Sequence, residues 1–372
     1  MTKNVKRLSQ ALLGKFSDSN GRPVTGKLSA PADLTAEIDA LQQLIVGDTW
    51  QSASGAKVFE FLHQDNYCIA LSFAPTEDEQ ASLYEQSENT INTIDVPGSI
   101  FLLLAERLDL RPIQLDPQWV EEHIAGPAEE DGVDLDVIKK CLEGVSVFQL
   151  SNESIFRKQT PGRYVANYIC TFDSRFTSGN RLTPRSLEIV REIFLQEKYY
   201  LIEENLFSAM TTPLLQHAFL EIYRILEFVF VLPRAGSLLE QLRLAAVSLN
   251  IKILDFARSC NKELGWKRVE RDSIGKLFRE YAASNYGAFQ ALAQDCKPFS
   301  GFTVPLATDP EDQRTVFVDK QADKYYALRN QIVHQFWPEE VVPCDDADWQ
   351  ALIEFTLGCI AYFYNRYLSK TA

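Results

Sequence analysis

From Pro184 to the C-terminus the apolar residues of this chain recur at helical spacing almost without a break; before that point they do not. This change of period narrows the fold more than any other feature. Apolar residues three and four apart lay a stripe along one face of a helix. Several such helices in succession, joined by mostly short connections, bury their stripes against one another as an antiparallel bundle. "TPRSLEIVREIFLQEKYYLIEENLF" opens the region with Thr183 as a cap and Pro184 at the first helical position. "TPLLQHAFLEIYRILEFVFVLP" repeats that signal at Thr212 and Pro213 and stops at Pro233. It is apolar on most faces, which predicts a central buried helix. "SLLEQLRLAAVSLNIKILDFARSCNKELG" begins with Ser237 and Glu240 at capping-box spacing and ends at Gly265. A shorter helix, "SIGKLFREYAAS", follows. The stretch from "CKPFSGFTVPLATDPEDQ" to Thr315 reads as a loop or small hairpin, and "DKYYALRNQIVHQFW" and "DADWQALIEFTLGCIAYFYNRYLSK" as two closing helices.

The first part is mixed. "LTAEIDALQQLI" (34–45) has helical spacing, and "VFEFL" (58–62) and "YCIALSF" (67–73) read as short strands around the turn "HQDN". "SIFLLLAERL" (99–108) fits a buried strand or a helix, "GPAEEDGVDLD" (126–136) a loop, and "VSVFQL" (145–150) and "RYVANYICTF" (163–172) further strands. Charge divides the chain at about the same place. Residues 1–150 hold 24 Asp/Glu against 11 Lys/Arg, and the remainder 27 against 26, so nearly all of the net charge of −14 sits in the first part. A surface that acidic repels polyanions, which excludes nucleic acid from it and leaves the near-neutral second part free to carry a basic patch. The predicted fold class is an acidic α+β N-terminal domain, residues 1–175, followed by an all-α antiparallel helical bundle, residues 176–372.

Several function classes fall away. No stretch approaches the roughly 18 uninterrupted apolar residues that span a bilayer; "AFLEIYRILEFVFVL" carries Glu221, Arg224 and Glu227. The three-residue apolar run near the N-terminus is too short for a signal peptide. Seven cysteines without a Cys-x-x-Cys pair fit a reducing cytoplasm, not a disulfide framework or a zinc site. His63, His123 and His217 lie apart from one another and from any cysteine at ligand spacing, so no metal is expected. No P-loop, Gly-x-Ser-x-Gly elbow or kinase signature is present, so an ATP-driven step would belong to a partner.

What remains is a constellation in "YYALRNQIVHQFWP" (325–338). Leu328, Ile332 and Phe336 form the stripe that packs into the bundle, while Asn330 and His334, four apart, share a face. Arg329 stands five positions before His334, about 140° around the helix, yet its long side chain reaches a ligand held beside the histidine. His334 lies in the last turn before Pro338, where the negative helix end favours imidazolium. This trio suits metal-free RNA cleavage. The ribose 2′-hydroxyl attacks the adjacent phosphate, and a histidine takes that proton or protonates the leaving 5′-oxygen. Arginine meets the charge that builds on the phosphate. Asparagine donates to another oxygen or holds the arginine. One histidine cannot comfortably be both base and acid, so two chains sharing one cleft are expected.

Arg-Asn-x-x-x-His on a late helix of a helical bundle resembles the HEPN superfamily, whose ribonuclease members carry Arg-x-x-x-x-His with a polar residue after the arginine. Here the matching residues are Arg329, Asn330 and His334. "AFLEIYRILEFVF" and "DWQALIEFTLGCIAYFYNRYL" resemble the flanking helices of that fold, so the resemblance covers roughly residues 200–370. It implies a cofactor-free, metal-independent endoribonuclease acting as a homodimer. It also implies the company such proteins keep, as toxins or anti-phage effectors with an antitoxin or NTPase partner. Glu227 either orients Arg329 or His334, or pairs with Arg224 or another base simply to satisfy a partly buried charge. "KELGWKRVERDSIGKLFR" (262–279) sets six basic residues, among them Lys267, Arg268 and Arg271, against three acidic ones around Trp266. That segment either grips RNA backbone or is a solvated helix face. The alternative for the whole chain is a non-catalytic HEPN-like assembly module, with the acidic domain docking a basic partner.

Overall fold

The computed structural model describes residues 4–31, 33–52, 55–73, 75–157, 162–173, 182–196, 203–244, 253, 256–258, 270–333 and 344–368. The chain divides into two compact units, Met1–Phe176 and Thr177–Ala372. The first is mixed α+β and the second, among the described residues, is all helical.

In the first unit, strands β1 (Ile45–Gln51), β2 (Lys57–His63), β3 (Asn66–Leu71), β4 (Ile91–Ile94) and β5 (Ser146–Leu150) form one antiparallel sheet of order β1-β2-β3-β5-β4. The β2–β3 hairpin turns at Gln64 and Asp65, whose φ values of 51° and 62° are those of a two-residue turn matched to strand twist. Central β3 is buried from Cys68 to Leu71, so no alternation shows there. Phe59, Phe61, Cys68, Ala70 and Val147 share a core with Leu8, Leu12 and Leu13 of α1 (Val5–Leu13), Leu41 of α2 (Leu34–Gln43) and Ile100–Ala105.

The stretch "SIFLLLAERL" is helical: together with α3 (Glu77–Gln86) between β3 and β4, α4 (Gly98–Arg107) completes this order of elements. Glu37 receives the N–H groups of Gly98 and Ser99 at 3.1 and 2.7 Å and so caps α4 from α2. Helix α5 (Leu135–Lys140) precedes β5. The segment 163–172 is not a strand; Gly162–Cys170 forms α6. Every residue from Tyr164 to Cys170 is buried, and a run buried on all sides displays neither period. Around 126–136 the chain makes a short helix, Gly126–Glu129, before turning at Gly132. Gly26, at φ 128°, lies so close to this segment that an added Cβ would stand 2.2 Å from the Ala128 carbonyl oxygen.

The second unit contains α7 (Pro184–Leu195), α8 (Glu203–Thr211), α9 (Leu215–Val229), α10 (Leu232–Leu244), α11 (Glu270–Asp295), α12 (Glu311–Val333) and α13 (Asp346–Tyr367). Thr183 caps α7 by accepting the Ser186 N–H at 3.0 Å. Three expectations need correction. Helix α9 starts at Leu215, not at Thr212. Pro233 falls in the first turn of α10, where its missing N–H has no intrahelical acceptor to disappoint; it opens a helix instead of stopping one. Helices α11 and α12 are longer than expected: α11 runs on past Ser284 through the buried Tyr286, Phe289, Leu292 and Ala293, and α12 already begins at Glu311 and buries Phe317, Val318, Gln321 and Ala322 ahead of Asp323. Ion pairs also join the two helices. Arg271 grips Asp323 at 2.6 and 2.6 Å, and Arg279 grips Asp319 at 2.7 and 2.9 Å. Helix α11 is interrupted at Asn285. Between α11 and α12 lies one 3-10 turn, Lys297–Phe299, and no strand among the described residues.

The centre of this unit is aromatic. Phe278 meets Phe289, Tyr325 and Phe355 edge-on, with ring centroids 5.4, 5.1 and 5.2 Å apart. Tyr325 also stacks on Tyr223 at 5.8 Å and donates to or accepts from Thr356 at 2.6 Å. Three helices, α9, α11 and α12, are thereby fixed against α13 at the level where the candidate site lies. Among the described residues no helix is long and apolar enough to cross a membrane.

Candidate functional site

Tyr325 and Leu328 of α12 are fully buried, and this carries the next residue, Arg329, to the flank of the bundle with its side chain 20% exposed. The buried line of α12 runs through Phe317, Val318, Gln321, Ala322, Tyr325 and Leu328; Ile332 is half-buried, and Phe336 lies outside the described residues.

Four side chains from three helices surround the guanidinium. Nη2 donates to Glu227 Oε1 of α9 at 3.2 Å. Nε faces Glu270 Oε1, at the start of α11, at 3.4 Å and without the alignment of a hydrogen bond. Nη1 donates to Asn330 Oδ1 at 3.1 Å. The central carbon of the group lies over the ring of Tyr223, 5.3 Å from its centroid, a cation–π contact. Tyr223 OH in turn donates to the same Glu270 oxygen at 2.5 Å. Burial, and then the bond to Glu270, push the Tyr223 phenol well above its ordinary range, so it stays a donor.

Of the predicted residues, the structure therefore brings together Arg329, Asn330 and Glu227. Asn330 holds the arginine, and Glu227 meets Arg329; Arg224 meets Glu221 instead, at 2.6 Å. His334 lies outside the described residues, as do Lys267 and Arg268. Arg271 is described, and its fork is taken up by Asp323. Two members of the cluster had not been singled out. Tyr223 stands one turn before Glu227, so helical spacing already put both on one face. Glu270 sits inside a basic segment and carried no signal of its own.

Chemically the cluster sets one fixed cation against two carboxylates, each side chain between one fifth and one third exposed. Such a group orients a ligand through the guanidinium or holds a fold together. Among the described residues no group of three His, Cys, Asp or Glu side chains is placed to hold a metal ion. Comparison with family models, with curated proteins and with solved structures finds no match to this chain.

Proposed function

We propose that the helical unit is a metal-independent endoribonuclease of the HEPN kind, active as a homodimer, with Arg329 on the scissile phosphate, Asn330 and Glu227 orienting Arg329, and His334 of each chain moving protons. One observation carries the reading: Arg329 is a constructed group. Arginines that only tie two helices together in this unit, Arg271 and Arg279, each pair with one exposed aspartate. Arg329 is instead met at three nitrogens, and set over a ring, by residues of α9, α11 and α12. Holding a cation in one orientation with four side chains is what a transition-state clamp requires.

The reading places the enzyme in the cytoplasm as a toxin or anti-phage effector, its acidic first unit docking a regulatory partner. The test is direct. Full-length protein, His334→Ala and Arg329→Gln are incubated with RNA in EDTA, alone and with candidate triggers. Wild type cleaves and both variants lose at least about a hundredfold in rate. Equal cleavage by all three ends the proposal.

A second reading has its own support: the Arg329 charge is already met by two carboxylates, as in a structural clasp. In a non-catalytic assembly module, exchanging Arg329 and His334 leaves biological activity intact, and neutralising the acidic clusters of the first unit abolishes it.

A further inference from the structure

We propose that Glu270, braced by Tyr223, competes with a phosphodiester for Arg329, so that an RNA backbone enters the site only by displacing this carboxylate. The inference rests on the ribonuclease reading for the identity of the ligand. Its starting point is the edge of the guanidinium in use. Arginine grips a carboxylate or phosphate through parallel N–H bonds to two oxygens of one anion. Arg271 and Arg279 both do so through Nε and Nη2, with distances between 2.6 and 2.9 Å. In Arg329 the same edge is divided. Nε faces Glu270 at 3.4 Å and Nη2 meets Glu227 at 3.2 Å, one oxygen from each of two acids on different helices. The edge best suited to a phosphate is thus spanned, but loosely.

A single phosphate with two oxygens 2.7–2.9 Å from those N–H groups would make the better fork. What opposes it is charge: an approaching anion meets one cation already outnumbered by two carboxylates. The Glu270 oxygen that faces Arg329 also accepts the Tyr223 hydroxyl. Tyr223 touches both the guanidinium and the ring of Tyr325, which is fully buried and hydrogen-bonded to Thr356. This pile fixes Glu270 where it repels a second anion most strongly. Neutralising it leaves the same arginine, still bonded to Glu227 and Asn330, with one opposing carboxylate instead of two.

The test measures affinity independently of cleavage. Full-length protein is titrated into a short fluorescein-labelled single-stranded RNA, 2′-O-methylated throughout so that no hydroxyl can attack, and anisotropy is followed. Glu270→Gln binds about tenfold tighter than wild type. The double variant Arg329→Gln/Glu270→Gln loses that gain. A Glu270→Gln protein that melts like wild type but binds no tighter overturns the proposal, as does a gain that survives removal of Arg329. If Glu270→Gln does not fold, Tyr223→Phe decides: it keeps the charge but removes the brace, and a gain of about two- to threefold is expected, with no gain overturning the idea. Unmodified RNA in EDTA separates the two claims. Tighter binding without cleavage by any variant refutes the ribonuclease reading and leaves the competition standing; cleavage without tighter binding does the reverse.

Discussion

Replacing Arg329 by methionine keeps the length of the side chain and removes its charge, leaving Glu227 and Glu270 facing a neutral group. The cost follows from where the three side chains sit. Exposed ion pairs contribute about 0–1 kcal/mol, whereas deleting one partner of a buried pair costs about 3–5 kcal/mol because the other charge is stranded. Side chains 20%, 30% and 24% exposed lie between these limits. The separations of 3.2 and 3.4 Å are not those of tight pairs, which points to the middle of the range, about 2–3 kcal/mol. The contact with Tyr223 adds little to this, since a methionine sulfur also packs well on an aromatic ring. For a unit of this size each kcal/mol moves Tm by about 2–4 °C, so a fall of about 5–10 °C is expected in differential scanning calorimetry at low ionic strength. The diagnostic step is the double variant. If stranded charge is the cause, adding Glu270→Gln to Arg329→Met restores stability, whereas Glu270→Gln in the wild-type background does not. The coupling energy of that cycle should be about 1–2 kcal/mol. A loss below about 1 kcal/mol for Arg329→Met, or a coupling indistinguishable from zero, would refute the reasoning.

Three further outcomes test the scaffold. Phe278→Ala empties the centre of the aromatic cluster and should cost the helical unit about 3–5 kcal/mol in urea denaturation. Thr183→Ala removes the cap of α7 and should cost about 1 kcal/mol, seen as a small fall in Tm of the same unit. Glu37→Gln reports on α4 through pH. Burial pushes the Glu37 carboxyl up, but hydrogen bonds from Ser99 and Gly98 outweigh it and hold the group below its ordinary range. A depressed carboxyl contributes stability above the unfolded value of about 4.3 and loses it as pH falls through the folded one. The Tm gap between wild type and Glu37→Gln should therefore be full at pH 7 and close below about pH 4.

How far the sequence could be read depended on whether burial was one-sided. Where an element hides one face, the period survives, as in α2; the β2–β3 hairpin was legible from its Gln64–Asp65 turn, and the start of α7 from Thr183–Pro184. Where an element is enclosed, the period is lost, which is why 163–172 passed for a strand although Tyr164–Cys170 form a helix. The pairing of α11 with α12 was not legible for a different reason. It is marked by Arg271–Asp323 and Arg279–Asp319, pairings 52 and 40 residues apart that no local window contains. The candidate site shows the same limit. Arg329 and Asn330 are neighbours in sequence and Tyr223 and Glu227 are neighbours on a helix, but Glu270 reaches them only through the packing of α11 on α12.

The strand order carries a consequence for how the first unit comes into being. Strand β4 has a single partner in the sheet, β5, and β5 is the last strand to be synthesised. A nascent chain that has emerged as far as α4 possesses β4 but nothing to zip it onto, and the margin of β3 stands open until residues 146–150 arrive. A ribosome that stalled anywhere in that interval of some fifty codons would display a three-stranded sheet with one raw seam, and releasing it there should yield a species that aggregates or meets a chaperone.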